Sequence, residues 1–330
     1  MPLERSTLLV TMQADPASRE IITSVIGELA KIVYLDDVAD AERGTTFGLA
    51  TAVLSRNTAK ELRDDEAEQL RGARLIQYVS AGIDFIPLGV FPETTMIAGN
   101  GGGYAEPMAE HAVMMTLAAY KRLMVEHNQL AIGEFNQFKR NRMLAGSVCG
   151  VLGFGGIGIE TARLMRALGV KVHAINRSGQ TDQEVDWIGD TSQTDELLKN
   201  SDILVLSLPL TPATQEMIGE RELQMMKDDA VVINLARGEI IDEEALYEHL
   251  KATPAFTACI DAWWVEPVRH GRFEMSYPFL ELDNVIASPH NSASVGRWRP
   301  IALRRAAENV ARLFRGEDVL FQVPPGDRMM

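Results

Sequence analysis

Short apolar runs recur along the chain with amphipathic stretches between them, the pattern of strands alternating with helices in a parallel sheet. Over the first hundred residues the runs at 8–11, 32–35, 48–53 and 75–79 predict strands, and helical spacing is seen at 18–29 and 59–70. The pattern breaks at AGNGGGY, a glycine-rich stretch that starts at Ala98. A long helix is predicted next, over 106–123, carrying Met108, Met114, Met115 and Leu117. A second series of apolar runs follows at 148–152, 170–175, 203–206, 230–233, 258–260 and 285–287. Six such strands match a complete doubly wound nucleotide-binding sheet. Residues 298–315 return to helical spacing and end at Gly316, a suitable C-cap. The fold class is therefore α/β, and the break followed by a long helix marks a domain crossing.

Composition narrows the picture without redirecting it. A chain of 330 residues suggests two domains or one large one. With 46% hydrophobic and 24% charged residues it is neither disordered nor collagen-like. The net charge of −14 repels polyanions, so neither a nucleic-acid nor an anionic-membrane partner is expected. Cys149 and Cys259 sit singly in apolar runs, with no metal-ligand or redox spacing, which points to a reducing compartment and no metal. MPLERSTLLV does not read as a signal peptide, and no apolar stretch is long enough to span a membrane. The expectation is a soluble, cytoplasmic protein.

Chemistry enters at Gly153-Phe154-Gly155-Gly156-Ile157-Gly158. G-x-G-x-x-G alone is weak, but here it follows the apolar run VCGVL and opens an amphipathic segment, the strand-turn-helix context that a dinucleotide needs. Gly153 permits the tight turn, Gly155 admits a pyrophosphate to the backbone, and Gly158 allows helix and strand to pack closely. The acidic residue that would bind a ribose 2′-hydroxyl some 20 positions on is missing. Asn176, Arg177 and Ser178 stand there instead, and they suit a 2′-phosphate, so NADP(H) is the implied cofactor, with NAD(H) left open. Downstream, Arg237, Asp261 with Glu266, and His290 each follow an apolar strand. Side chains at the carboxyl ends of parallel strands converge on one crevice, where an arginine, a carboxylate and a histidine can bind a carboxylate substrate and move a proton. His111, on an apolar helix face, reads as a satisfied core or interface histidine, and the arginines of RHGR read as a solvated loop.

Seven segments taken in order, VSAGID, YAEPMAEHA, GVLGFGGIG, LSLPLTPAT, VINLARGEIIDEEAL, IDAWWVEP and NVIASPHNSA, resemble the D-isomer-specific 2-hydroxyacid dehydrogenase family, of the glyoxylate/hydroxypyruvate reductase type. The resemblance implies a flavodoxin-like substrate domain from the two chain ends, residues 1–99 and 297–330, with a Rossmann cofactor domain, 100–296, inserted between them. It also implies a homodimer built largely on the long helix. Carried over residue by residue, it makes Arg237 the holder of the substrate carboxylate, His290 the acid/base and Glu266 its orienting partner. Ser80, Ala81 and Gly82 would offer backbone N–H groups to the substrate. Gly156, Ile157, Leu208, Pro209, Thr214, Ala236, Asp261 and His290 would join the cofactor set, with Asp261 on the nicotinamide amide.

Substrate class follows from departures. Formate dehydrogenases resemble the chain at AEHAVMM but carry glutamine where Glu266 stands. A phosphorylated substrate would want further cations, and Arg56 is one while Leu54 stands where a second might be. The preferred reading is NADPH-dependent reduction of a small 2-oxo acid such as glyoxylate, hydroxypyruvate or pyruvate. The alternatives are a phosphoglycerate-dehydrogenase-like enzyme and a non-enzymatic, dinucleotide-sensing corepressor-like protein.

Overall fold

The computed structural model describes residues 6–328, and these fold as two compact units, residues 6–104 with 295–328, and residues 105–294. In the first unit β1 (Thr7–Val10), α1 (Pro16–Ile26), β2 (Lys31–Tyr34), α2 (Arg43–Leu49) and β3 (Ala52–Ser55) are followed by two single-turn helices, α3 (Thr58–Glu61) and α4 (Glu66–Gln69). Next come β4 (Leu75–Tyr78) and β5 (Met96–Ala98). The five strands are parallel in the order β2-β1-β3-β4-β5, the flavodoxin order.

The second unit opens with α5 (Ala105–Tyr120) and α6 (Leu123–Ala131). Its sheet is built from β6 (Val148–Leu152), α7 (Gly156–Ala167), β7 (Lys171–Ile175), β8 (Trp187–Gly189), α8 (Thr194–Asn200), β9 (Ile203–Leu206), α9 (Glu220–Met225), β10 (Val231–Asn234), α10 (Glu243–Ala252), β11 (Thr257–Ile260), α11 (Pro267–His270) and β12 (Val285–Ala287). All pairs are parallel and the order is β12-β11-β10-β9-β6-β7-β8. Counted within the unit this is the doubly wound Rossmann order with a seventh strand, and the direction of winding reverses between β6 and β9. The chain then returns to the first unit as α12 (Trp298–Arg315), closed by Gly316 at φ 74°. There Asn309, buried in α12, donates to Gln77 Oε1 at 2.7 Å and exchanges hydrogen bonds with the backbone of Leu320, tying the C-terminal segment to β4.

Four local expectations need correction. The strand expected at 48–53 is β3, shifted toward the C-terminus, because Gly48 and Leu49 close α2. That helix, RGTTFGL, contains two glycines and is held by burial of Phe47 rather than by propensity. The helix expected over 59–70 is split: Glu61 Oε1 accepts the N–H groups of Arg56 and Asn57, and Glu66 Oε2 accepts that of Arg63, so each carboxylate closes a separate turn. The long helix ends at Tyr120, whose carbonyl accepts the Arg142 N–H, and Arg122 turns left-handed (φ 53°) before α6 starts. The first sheet has five strands and the second seven, not four and six, since β5 and β8 were not foreseen.

Candidate active site

The glycine turn sits at the carboxyl end of β6, beside the point where the winding reverses. Gly153 has φ 100°, and a Cβ there would lie within 3 Å of the Leu208 backbone. Only glycine fits. Ser207 donates to the Gly153 carbonyl at 2.9 Å, and the N–H groups of Gly153 and Phe154 reach Ile175 O. The turn is thereby locked between the ends of β9 and β7. Gly158 packs against Gly153 O and Val151, where a side chain would not fit.

Gly155, the N-cap of α7, is different: a Cβ there would meet nothing within 4 Å, and no side chain caps the helix. Open space over uncapped N–H groups at the start of a twelve-residue helix is what a pyrophosphate requires, so these residues fit a dinucleotide. The end of β7 leads into a turn in which Asn176 Oδ1 accepts from Ser178 N and Oγ at 3.1 Å, leaving Arg177 exposed at its tip. On the other side, Thr214 Oγ1 donates to Pro209 O at 2.7 Å and accepts the Thr211 N–H at 2.8 Å, which closes the loop holding Leu208 and Pro209. Ala236 is buried, with its N–H on Asn234 Oδ1 at 3.0 Å.

Arg237, Glu266 and His290 follow β10, β11 and β12 and are brought together. Both Glu266 oxygens lie on His290 Nδ1, at 2.7 and 2.8 Å, and Oε1 also accepts the Trp263 N–H at 2.7 Å. Burial pushes the Glu266 carboxyl up, but the His290 hydrogen bond and charge, the Trp263 N–H and the charge of Arg237 outweigh it, so the carboxyl lies below its ordinary value of 4.5. The carboxylate side chain is 8% exposed and the imidazole 32%. Nδ1 is thus committed to a buried acceptor, and Nε2, on the far side of the ring, is left for a ligand. Arg237 donates to Ala236 O at 2.8 Å, which folds its guanidinium onto its own loop.

Three contacts fasten the Arg237 loop to the Glu266 loop. A methyl on Gly238 would overlap the Trp263–Trp264 peptide, Trp264 Nε1 donates to Ile241 O at 2.8 Å, and Arg269 pairs with Glu239 at 2.7 Å. Arg269 is therefore not part of a solvated loop, and His270 Nδ1 accepts the Glu266 N–H at 3.0 Å. Spacing alone does not reveal these links. Asp261 is fully buried: Oδ1 accepts from Ser288 Oγ at 2.5 Å and Asn291 N at 3.1 Å, and Oδ2 from Ser292 N at 3.3 Å. In the first unit Ser80, Ala81 and Gly82 follow β4, half-buried, with Ser80 O accepting the Asn100 N–H at 2.9 Å.

The family model for the D-isomer specific 2-hydroxyacid dehydrogenase, NAD binding domain, matches residues 113–292. The chain belongs to the D-isomer-specific 2-hydroxyacid dehydrogenase family. Membership places it among NAD(P)-dependent oxidoreductases that act on a CH–OH group. It is 32% identical to the hydroxypyruvate reductase of Thermotoga maritima over 80% of this chain and 84% of that one. Identity to the D-3-phosphoglycerate dehydrogenase of Methanocaldococcus jannaschii is 29% over 94% of this chain, which spans only 58% of that protein's length. Among solved structures it is similar to a candidate formate dehydrogenase from Pyrobaculum aerophilum, with a TM-score of 0.79, 26% identity, and coverage of 98% of this chain and all of that one. Among the described residues no helix is long and apolar enough to cross a membrane.

Proposed function

We propose that this 2-hydroxyacid dehydrogenase reduces a small 2-oxo acid, of the glyoxylate, hydroxypyruvate or pyruvate kind, with NADPH. The observation that carries the reading is the buried Glu266 carboxylate on His290 Nδ1, with Nε2 facing away and Arg237 within electrostatic reach. When bound, the dinucleotide supplies hydride to C2. The Gly155 turn and the start of α7 hold its pyrophosphate, and Asn176, Arg177 and Ser178 hold a ribose phosphate. Arg237 binds the substrate carboxylate and polarises the 2-oxo group. With Nδ1 fixed on Glu266, His290 gives its Nε2 proton to the alkoxide that forms at C2, and in the reverse direction takes it back. The family resemblance would make the unit of residues 6–104 and 295–328 the substrate-binding domain, with the backbone of Ser80–Gly82 as its contact to a substrate. Glu266, where a formate dehydrogenase of this family would carry glutamine, supports proton transfer. Both thiols are free and buried, in keeping with a reducing cytoplasm.

One observation favours a second substrate class. Burial raises the Tyr104 hydroxyl above its ordinary range, while the charges of Arg56 and Arg299 pull it back, so two guanidinium groups act on one point of the first unit. They would suit a phosphorylated 2-oxo acid, as the likeness to a D-3-phosphoglycerate dehydrogenase also suggests. Initial rates of NADPH and NADH oxidation against glyoxylate, hydroxypyruvate, pyruvate and phosphohydroxypyruvate separate the readings. Turnover of the unphosphorylated acids with NADPH is expected, and turnover of phosphohydroxypyruvate alone would favour the second.

A further inference from the structure

His290 has φ 49°, a left-handed conformation uncommon outside glycine, and it follows a proline that has no N–H to anchor. Something must hold this loop, and the structure shows what does. Ser288, two residues before His290, is fixed at every polar group. Its N–H reaches Ile260 O at 2.9 Å, its carbonyl accepts Trp263 Nε1 at 2.9 Å, and its hydroxyl donates to Asp261 at 2.5 Å. Asp261 also accepts the N–H groups of Asn291 and Ser292, so one buried carboxylate grips the chain on both sides of His290. A 2.5 Å oxygen–oxygen distance is that of a hydroxyl proton given to a carboxylate.

The serine hydroxyl has one proton. His111, on α5 and 177 residues upstream, places Nε2 at 3.0 Å from the same oxygen and 3.8 Å from Asp261. With the hydroxyl proton spent on Asp261, Nε2 must be the donor.

We infer that His111 is a positioning residue for His290, acting through a chain in which its Nε2–H donates to Ser288 and Ser288 donates to Asp261. The chain fixes the hydroxyl rotor, keeps the proton on the Asp261 side, and so maintains the grip across the His290 loop. A catalytic imidazole displaced by even an ångström loses on the order of a hundredfold in rate. The role assigned to His111 rests on His290 being the acid/base.

The test is a set of variants assayed with the best 2-oxo acid of the panel. His111→Leu removes the donor, His111→Gln keeps an N–H at a similar reach, Ser288→Ala removes the relay and Ser288→Thr keeps it. His111→Leu and Ser288→Ala are each expected to lower kcat about 10- to 100-fold, with KM and NADPH affinity held within about threefold and the melting temperature little changed. The conservative variants should recover most of the loss, and His111→Leu combined with Ser288→Ala should cost no more than either alone. Full kcat in His111→Leu, equal losses in the leucine and glutamine variants, or additive losses in the double variant would overturn the inference. His290→Ala is measured alongside. If it loses turnover while His111→Leu does not, only the positioning role falls; if it keeps turnover, the acid/base assignment falls first.

Discussion

Glu266 is the residue on which burial and charge compete most directly. It is 6% exposed, a setting that favours the neutral acid, yet His290, the Trp263 N–H and Arg237 together hold its pKa below 4.5. A carboxyl whose pKa is lower in the folded than in the unfolded chain adds stability above its unfolded value and loses it as pH falls through the folded one. The melting temperature of the wild type should therefore drop more steeply than that of Glu266→Gln below about pH 4.5, as followed by circular dichroism. Parallel curves would show that the pair contributes nothing to acid stability. In the proposed reading, Arg177 would carry the cofactor preference. Arg177→Ala should raise the NADPH dissociation constant at least about tenfold, as expected for loss of a charge-assisted contact, and leave that for NADH nearly unchanged. Equal losses would assign the arginine another task. The sequence exposed Arg237, Glu266 and His290 because each stands just after an apolar run. It did not expose the partnership of His111 with Ser288, because a histidine on an apolar helix face looks like packing until the residue opposite is known.

At the level of elements, the long strands and the glycine turn were legible because their apolar runs and glycine spacing are dictated by local geometry. What failed was also local. In α2, tertiary burial of Phe47 overrides two glycines, and over 58–69 two carboxylates captured backbone N–H groups that a continuous helix would have used. β5 (MIA) runs into the glycine-rich break and β8 (WIG) ends in glycine, so these three-residue strands did not stand out, whereas β12 (VIA), equally short, did. Some of the most consequential contacts lie between loops, where pattern carries no signal. Gly238 is the clearest case, since its lack of a side chain lets the Arg237 loop rest on the Trp263–Trp264 peptide. Gly238→Ala should destabilise the protein by about 1–3 kcal/mol in urea unfolding, the usual cost of forcing a methyl into a packed site. It should lower kcat as well, because Arg237 and Glu266 are then pushed apart. A variant with wild-type stability and turnover would mean that the two loops do not depend on each other.

For the whole molecule, the unexplained feature is the number of large apolar side chains that the second unit exposes between residues 114 and 143. Met114 on α5 and Leu130 on α6 are exposed, and so are Ile132 (75%), Phe135 (77%), Phe138 (85%) and Met143 (74%) beyond them. Large apolar side chains concentrated in one segment mark an interaction surface. We propose that a second copy of the chain covers it, as the family resemblance implies for the long helix. Light scattering should then give a dimer for the wild type and a monomer for Phe138→Glu. A wild-type monomer would leave the surface without that partner.

The proposed reaction depends above all on His290 moving a proton through Nε2 while Glu266 holds Nδ1. The most direct measurement is kcat of the wild type and of His290→Ala for NADPH-dependent reduction across the 2-oxo acid panel, with NADPH affinity measured by fluorescence titration. A fall of at least about 10²-fold in kcat, the ordinary size of a general acid–base contribution, with NADPH affinity kept, is the predicted result. Unchanged turnover in His290→Ala would contradict it.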